Sequence, residues 1–191
     1  MSDNTSLQRR LRDLLRERSV RHGDFVLASG KRSSFYIDAR RTTMSGEGLV
    51  LIGRLGLDRL AARGWSPQLV GGLTLGADPV AYAIAAAAAA QGVRLDAFTV
   101  RKQAKDHGTG QRIEGCFAPR TSVVIVDDVI TTGRSTLEAI KAVADDGGRV
   151  LGVLAVVDRD EGGRATIQEA GHEVEVLVTA RELGLGVRSG T

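Results

Sequence analysis

Asp127 and Asp128 stand side by side at the end of an apolar run, and Thr131, Thr132, Gly133 and Ser135 follow within seven residues. Adjacent carboxylates accept hydrogen bonds from sugar hydroxyls or from the waters of a hydrated Mg2+. Hydroxyl side chains around a glycine do the converse: they donate to an anion, and the glycine lets backbone approach closely. The next segment, Thr136-Leu137-Glu138-Ala139-Ile140, spaces its apolar residues like the first turns of a helix. A helix N-terminus adds unpaired N–H groups and the positive end of a dipole. Together these groups suit a ribose 5-phosphate. The commoner phosphate loops are absent, since there is no G-x-x-x-x-G-K-[ST] and no G-x-G-x-x-G after a predicted strand. Piece by piece, Thr131-Thr132-Gly133 is equally an ordinary turn and the two acids a solvated strand end. The whole run from Val123 to Ser135 is what points to phosphate.

Such a loop needs a strand to deliver it. Val123-Val124-Ile125-Val126 has no polar alternation and predicts a parallel strand buried on both faces, ended by the two acids. Leu69-Val70-Gly71-Gly72 predicts a second strand, running into Leu73-Thr74-Leu75-Gly76-Ala77-Asp78-Pro79, a second candidate anion loop because glycine exposes backbone N–H groups. Asp96 to Val100 predicts a third, followed by Arg101-Lys102-Gln103-Ala104-Lys105-Asp106-His107-Gly108-Thr109-Gly110. The chain has four lysines and three histidines, and Lys102, Lys105 and His107 fall in these ten residues. The stretch is either a solvated charged turn or a lid over diphosphate, and its place after a strand favours the lid. Arg149 to Val157 predicts another buried strand with Arg159 just past its end, where ligands collect in open parallel sheets. Arg159 is there either to recognise an anion or to pair with Asp158 or Asp160.

The remaining elements are scaffolding. Leu7, Leu11, Leu14 and Leu15 predict an amphipathic helix after a loose 1–5 segment, broken by His22-Gly23-Asp24. Phe25 to Leu27 and Ser34 to Asp38 predict a small hairpin apart from the main sheet, its aromatics Phe25, Phe35 and Tyr36 forming a mini-core or stacking on a ligand. Helices are expected over Gly46 to Ala62 with Ser45 as N-cap, Pro79 to Ala90, up to about Ala144, and Ala165 to Ala170. Short strands are expected over Gln111 to Glu114 and Glu173 to Val178, and a frayed tail from Gly184. Alternating strands and helices imply an α/β fold with a parallel sheet.

At 191 residues, 42% apolar and 26% charged, the chain fits one ordinary globular domain. A net charge of +3 is no argument for nucleic acid. Cys116 is the only cysteine, which excludes an intrachain disulfide and a cysteine-built metal site. The longest apolar run, Ala83 to Ala90, is short and almost all alanine. These features point to a cytoplasmic protein without membrane or nucleic-acid partners.

The Val123–Ser135 run resembles the phosphoribosyl pyrophosphate (PRPP) signature of type I phosphoribosyltransferases. The rest of the chain is similar to the orotate phosphoribosyltransferases: Phe25 to Gly30 with Ser33 and Tyr36 looks like that family's hood, and Arg101-Lys102 through Lys105-Asp106-His107-Gly108 like its catalytic loop. Gly71 to Pro79 resembles the pyrophosphate-side loop of one branch. The chain departs from other members at Ala28, where they have lysine, and at Thr74-Leu75, where they have Tyr-Lys.

The resemblance implies a type I phosphoribosyltransferase-like sheet flanked by helices, with a hood over about 20–40 and a mobile loop over about 101–111. It implies transfer of phosphoribose from PRPP to orotate, with Mg2+ held mainly by the PRPP diphosphate and no dedicated protein metal ligands. Arg101, Lys102, Lys105 and His107 would supply cations at the departing diphosphate, Lys105 foremost, with His107 able to donate a proton. Asp127, Asp128, Val129, Ile130, Thr131, Thr132, Gly133, Arg134 and Ser135 would form the PRPP site, the acids on the ribose hydroxyls and the loop on the 5′-phosphate. Thr131 and Arg159 would bind orotate. The family also implies a homodimer with shared active sites. The rivals are a phosphoribosyltransferase for another base and a PRPP-sensing regulator without catalysis.

Overall fold

A computed structural model describes residues 2–26, 32–103 and 112–185. Its centre is a six-stranded sheet in the order β5-β4-β3-β6-β7-β8: β3 Leu69–Leu73, β4 Asp96–Val100, β5 Ile113–Gly115, β6 Ser122–Ile130, β7 Arg149–Asp158 and β8 Val174–Thr179. All neighbours pair in parallel except β5, which runs antiparallel along the edge of β4. Residues of β6 alternate between two cores. Val124 and Val126 face a cluster with the helices α1 (Ser2–Arg18), α3 (Gly46–Ala62) and α4 (Ala77–Ala90). Val123 and Ile125 face a second cluster built with α5 (Arg134–Asp145) and α6 (Gly163–Glu169). All four side chains are at most 1% exposed, and burial of each stabilises the fold by about 1.5–3 kcal/mol. That two-sided burial is why this strand has no polar alternation.

The alanines of α4 let it settle closely on its neighbour. A Cβ on Gly53 of α3 would overlap the carbonyl of Ala83, and one on Gly56 would meet Ile84 at 2.7 Å. Ser45 caps α3 by accepting from the Gly48 N–H at 3.1 Å, as the sequence predicts.

Four expectations need correction. Helix α1 begins at Ser2, so most of the supposedly loose N-terminal segment is helical. His22-Gly23-Asp24 does not end a helix. It lies within β1 (Val20–Val26), which pairs antiparallel with β2 (Arg32–Ile37) and absorbs these residues as a bulge between His22 and Phe25. The acids do not end β6, which continues through Asp127 and Asp128 to Ile130 because β7 pairs with it that far. The tail is held as far as Leu185, where Leu183 and Leu185 are both buried against the core, and the rest of it, 186–191, lies outside the described residues. A short helix, α2 (Arg40–Thr43), was not expected at all.

Candidate active site

In this strand order β3 leads to β4 on one side, while β6 lies on the other and leads away to β7. The carboxyl ends of β3 and β6 therefore flank a topological switch point, where open α/β sheets bind ligands. A cavity of about 770 Å3 opens there, with the hairpin residues Tyr36 and Ile37 across from the strand ends. It brings together Leu73 to Gly76 after β3, Asp127 to Val129 on β6, Thr131, Thr132, Arg134 and Ser135 after it, Lys102, and Arg159 after β7.

The acidic pair is built for asymmetry. Asp127 is buried, its Oδ2 accepting from the Thr136 hydroxyl at 2.8 Å and its Oδ1 from the Asp128 N–H at 3.0 Å. Burial, and then the adjacent Asp128 charge, push its pKa up to about 7. Asp128 is also pushed up by burial, against the opposing pull of Asp127, the Val129 N–H and the Arg40 charge. The Val129 N–H donates to Asp128 Oδ1 at 2.9 Å. A Cβ on Gly76 would overlap the Asp128 carboxylate, so the glycine lets the two strand ends meet.

The phosphate loop turns into α5 through Gly133, whose φ of 81° suits glycine. Its backbone is locked from below, with the Gly163 N–H donating to the Thr131 carbonyl at 3.0 Å. Thr131, Thr132, Arg134 and Ser135 line the cavity. Ile130 does not present its side chain there but to the core, 1% exposed, while its carbonyl accepts from the Arg159 N–H at 3.0 Å.

Arg159 is 4% exposed and stacks over the Phe35 ring at 5.2 Å. Its ion-pair partner is Glu161, at 2.8 Å from Nη2, and not the expected Asp158 or Asp160. Asp158 instead caps the turn by accepting from the Asp160 N–H, and Asp160 accepts from the Arg181 N–H. The Glu161 contact lacks hydrogen-bond alignment, and neither Nε nor Nη2 of Arg159 has a hydrogen-bond acceptor among the described residues. A buried guanidinium with donors to spare suits a planar anionic acceptor.

Phe25 packs on Tyr36 with ring centroids 5.7 Å apart. The mini-core reading of the hairpin aromatics holds for Phe35, which is buried beneath Arg159, while Tyr36 lines the cavity. Arg101 lies back against Glu114 at 3.4 Å and does not line the cavity, whereas Lys102 does. Lys105 and His107 lie outside the described residues.

Sequence reasoning missed Thr136, although its hydroxyl follows Ser135 directly. It also missed Asp38 and Arg40, an ion pair at 2.8 Å on the cavity wall that raises the Arg40 pKa, first through its hydrogen bond to Asp38. Asp78 was missed too: it accepts from Thr74 Oγ1 at 2.6 Å and Thr99 Oγ1 at 2.9 Å, fixing the loop after β3, whose Thr74–Leu75 peptide is cis. Among the described residues no cluster of three His, Cys, Asp or Glu side chains is placed to hold a metal ion.

No protein-family model matches the chain. It is 43% identical over 176 residues to the orotate phosphoribosyltransferase of Rhodopirellula baltica, covering 90% of this chain and 91% of that one. It is 46% identical over 176 residues to the orotate phosphoribosyltransferase of Mycobacterium avium, covering 92% and 96%. Its backbone superposes on the crystal structure of Mycobacterium tuberculosis orotate phosphoribosyltransferase in complex with PRPP with a TM-score of 0.79, at 40% identity over 94% of this chain and 99% of that one.

Proposed function

The chain belongs to the family of orotate phosphoribosyltransferases, and on that premise we propose how its cavity carries out the transfer of phosphoribose from PRPP to orotate. The products are orotidine 5′-monophosphate and diphosphate, and the reaction is a step of pyrimidine synthesis. The observation that carries the reading is one cavity holding both an acidic pair with a phosphate loop and, opposite in chemistry, the buried Arg159 with unused donors.

Each group has a task that its position suits. Thr131, Thr132 and Ser135, with the N–H groups at the start of α5, bind the 5′-phosphate. Asp127 and Asp128 accept from the ribose hydroxyls and hold the sugar over the cavity floor. As diphosphate leaves, carbon 1 of the ribose gains positive charge and the departing oxygens gain negative charge, so cations belong beside the diphosphate. That Lys102 lines the cavity supports this role for it, and the family resemblance adds Arg101, Lys105 and His107. The backbone of Leu73 to Gly76 supplies further donors.

Mg2+ fits this site as an ion carried in on the diphosphate, where it would offset charge on the leaving group. The cavity carboxylates Asp38 and Glu161 are already paired with arginines, which leaves Asp127 and Asp128 as the unpaired acids facing it among the described residues. Arg159, flattened against Phe35, presents its fork to the orotate carboxylate or ring carbonyls, with Thr131 beside it.

We take residues 1–191 to act as one domain, in a cytoplasmic homodimer whose basic loop reaches the neighbour's cavity. Leu75 and Tyr82, large apolar side chains more than half exposed, offer surface that a second copy would cover. Both substrates are anions, PRPP a multiply charged one, and do not cross membranes unaided, which favours the cytoplasm.

The deciding experiment follows orotate absorbance when purified protein meets orotate, PRPP and Mg2+, with uracil, hypoxanthine and adenine in parallel. Loss of orotate alone is expected. Turnover of another base would keep the PRPP site and sink the assignment of Arg159. Silence with all four, alongside PRPP binding, would favour a PRPP-sensing regulator.

A further inference from the structure

Arg112 lies outside the cavity, yet it ties the root of the basic stretch to the helix that follows the phosphate loop. Its Nε and Nη2 donate to the Arg101 carbonyl at 3.2 and 3.0 Å, and Nη2 also reaches the Lys102 carbonyl at 3.3 Å. The same Nη2 lies 2.6 Å from Glu138 Oε1. The backbone closes the knot, since the Arg101 N–H donates to the Arg112 carbonyl at 2.8 Å. Glu138 sits on α5, three residues after Ser135 of the phosphate loop.

One planar guanidinium thus holds two consecutive carbonyls and a carboxylate at once, which the compact ammonium of a lysine does not reproduce. Stability alone does not account for it. The Arg112 and Glu138 side chains are 32% and 38% exposed, and such pairs stabilise a fold little. The residue whose backbone is held, Lys102, does line the cavity.

We propose that Arg112, tethered by Glu138, is a positioning residue that fixes the Lys102 ammonium relative to the 5′-phosphate loop, so that the two ends of one substrate are gripped at a set separation. The inference rests on the reading of this cavity as a PRPP site. Arg101 shares in the arrangement through its backbone, because its side chain is turned toward Glu114. The fixed separation matters because small misplacement of a charged group in a preorganised site lowers the rate steeply.

The test uses the full chain and reads binding as well as turnover. Arg112→Gln, Arg112→Lys and Glu138→Gln are titrated calorimetrically with inorganic diphosphate plus Mg2+ and, separately, with ribose 5-phosphate, and kcat and KM are measured. Arg112→Gln is expected to weaken diphosphate binding and lower kcat by about tenfold, the loss of charge-assisted hydrogen bonds. Ribose 5-phosphate affinity and the KM for orotate should stay unchanged. Arg112→Lys should fail to restore the loss, Glu138→Gln should shift in the same direction by less, and the double variant should be no worse than Arg112→Gln.

Equal weakening of both ligands would make Arg112 a general brace and overturn the proposal. So would unchanged diphosphate affinity and kcat in folded Arg112→Gln. Should that variant not fold, Glu138→Gln decides by the same readings. Wild-type protein that binds no diphosphate would sink the reading of the cavity itself, an outcome separate from a wild type that binds and a variant that matches it.

Discussion

Thr136 donates its hydroxyl to Asp127 Oδ2 at 2.8 Å, linking the first turn of α5 to the strand nine residues earlier. Both residues are buried. The bond means that the helix presenting the phosphate loop and the strand presenting the sugar-binding acids cannot shift independently. It also leaves Asp127 as a carboxyl group whose charge the fold resists, since burial and the adjacent Asp128 charge outweigh the Thr136 hydroxyl and the Asp128 N–H that favour ionisation.

That resistance makes stability depend on pH. The Asp127 pKa rises from 3.8 to about 7 on folding, so in that window the folded protein binds more protons than the unfolded chain. Its contribution to stability is full below the lower value and is lost as pH rises through the upper one. Asp127→Asn removes the titration and keeps an oxygen for Thr136. The Tm of this variant relative to wild type is expected to rise by about 3 °C or more between about pH 5 and about pH 8. Thermal melts check this, and a pH-independent difference would show an Asp127 that is ionised throughout. Turnover should fall by at least about 100-fold at about pH 8, where wild-type Asp127 is ionised, for want of a sugar-binding carboxylate.

Arg159→Ala should raise the KM for orotate by about 10- to 100-fold, the worth of hydrogen bonds to a charged group, with the KM for PRPP held within about twofold. Steady-state kinetics with each substrate varied in turn separate the two. Equal effects on both would mean that Arg159 braces the cavity through Phe35 and Glu161 and does not read the base.

Gly76→Ala should cost more than an added methyl usually does, because its Cβ would overlap the Asp128 carboxylate and force it aside. A rise in the KM for PRPP of about tenfold is expected, with a stability loss of about 1–3 kcal/mol from overpacking. Denaturant melts and kinetics report the two effects separately. An unchanged KM would show that Asp128 can move without consequence for the sugar.

Much of this site was legible because its chemistry is local in sequence. The run from Val123 to Ser135 holds a strand, a pair of acids, hydroxyls and a helix start in order, and the fold keeps that order. The two-sided burial of β6 was legible for the same reason, since an apolar run without alternation has one physical explanation. The end of β6 was not, because Asp127 and Asp128 look like a strand terminus until the pairing of β7 is known. Arg159 was found from its place after a strand, but its seat on Phe35 joins segments more than 120 residues apart, and its pairing with Glu161 depends on how the turn after β7 is wound. The role of Arg112 was equally hidden, since an arginine after a basic stretch looks like more of the same charge until Glu138 is seen beside it.

Shared active sites would show in mixed dimers. Lys105→Ala and Arg159→Ala, each with little activity alone at orotate concentrations near the wild-type KM, should recover about a quarter of the wild-type rate there when co-refolded in equal amounts, since combining complementary sites restores one intact cavity in half of the dimers. The mixture's rate at that orotate concentration checks it, with heterodimers counted by native mass spectrometry. No recovery in heterodimers shown to form would mean that each chain completes its own cavity.

The contact between Gly163 and the loop at Thr131 to Gly133 sets a limit on how such a protein can diversify. A Cβ on either Gly133 or Gly163 would press on the other's backbone, so the floor of the phosphate cradle is main chain packed against main chain, with no room for a side chain at either position. Retargeting toward a different base, whether by an engineer or by drift among duplicated copies, therefore has to proceed on the opposite wall, at Phe35, Tyr36 and Arg159, where the groups around the cavity are replaceable one at a time. The sugar-phosphate half is in effect a fixed socket, and the hairpin is the interchangeable fitting.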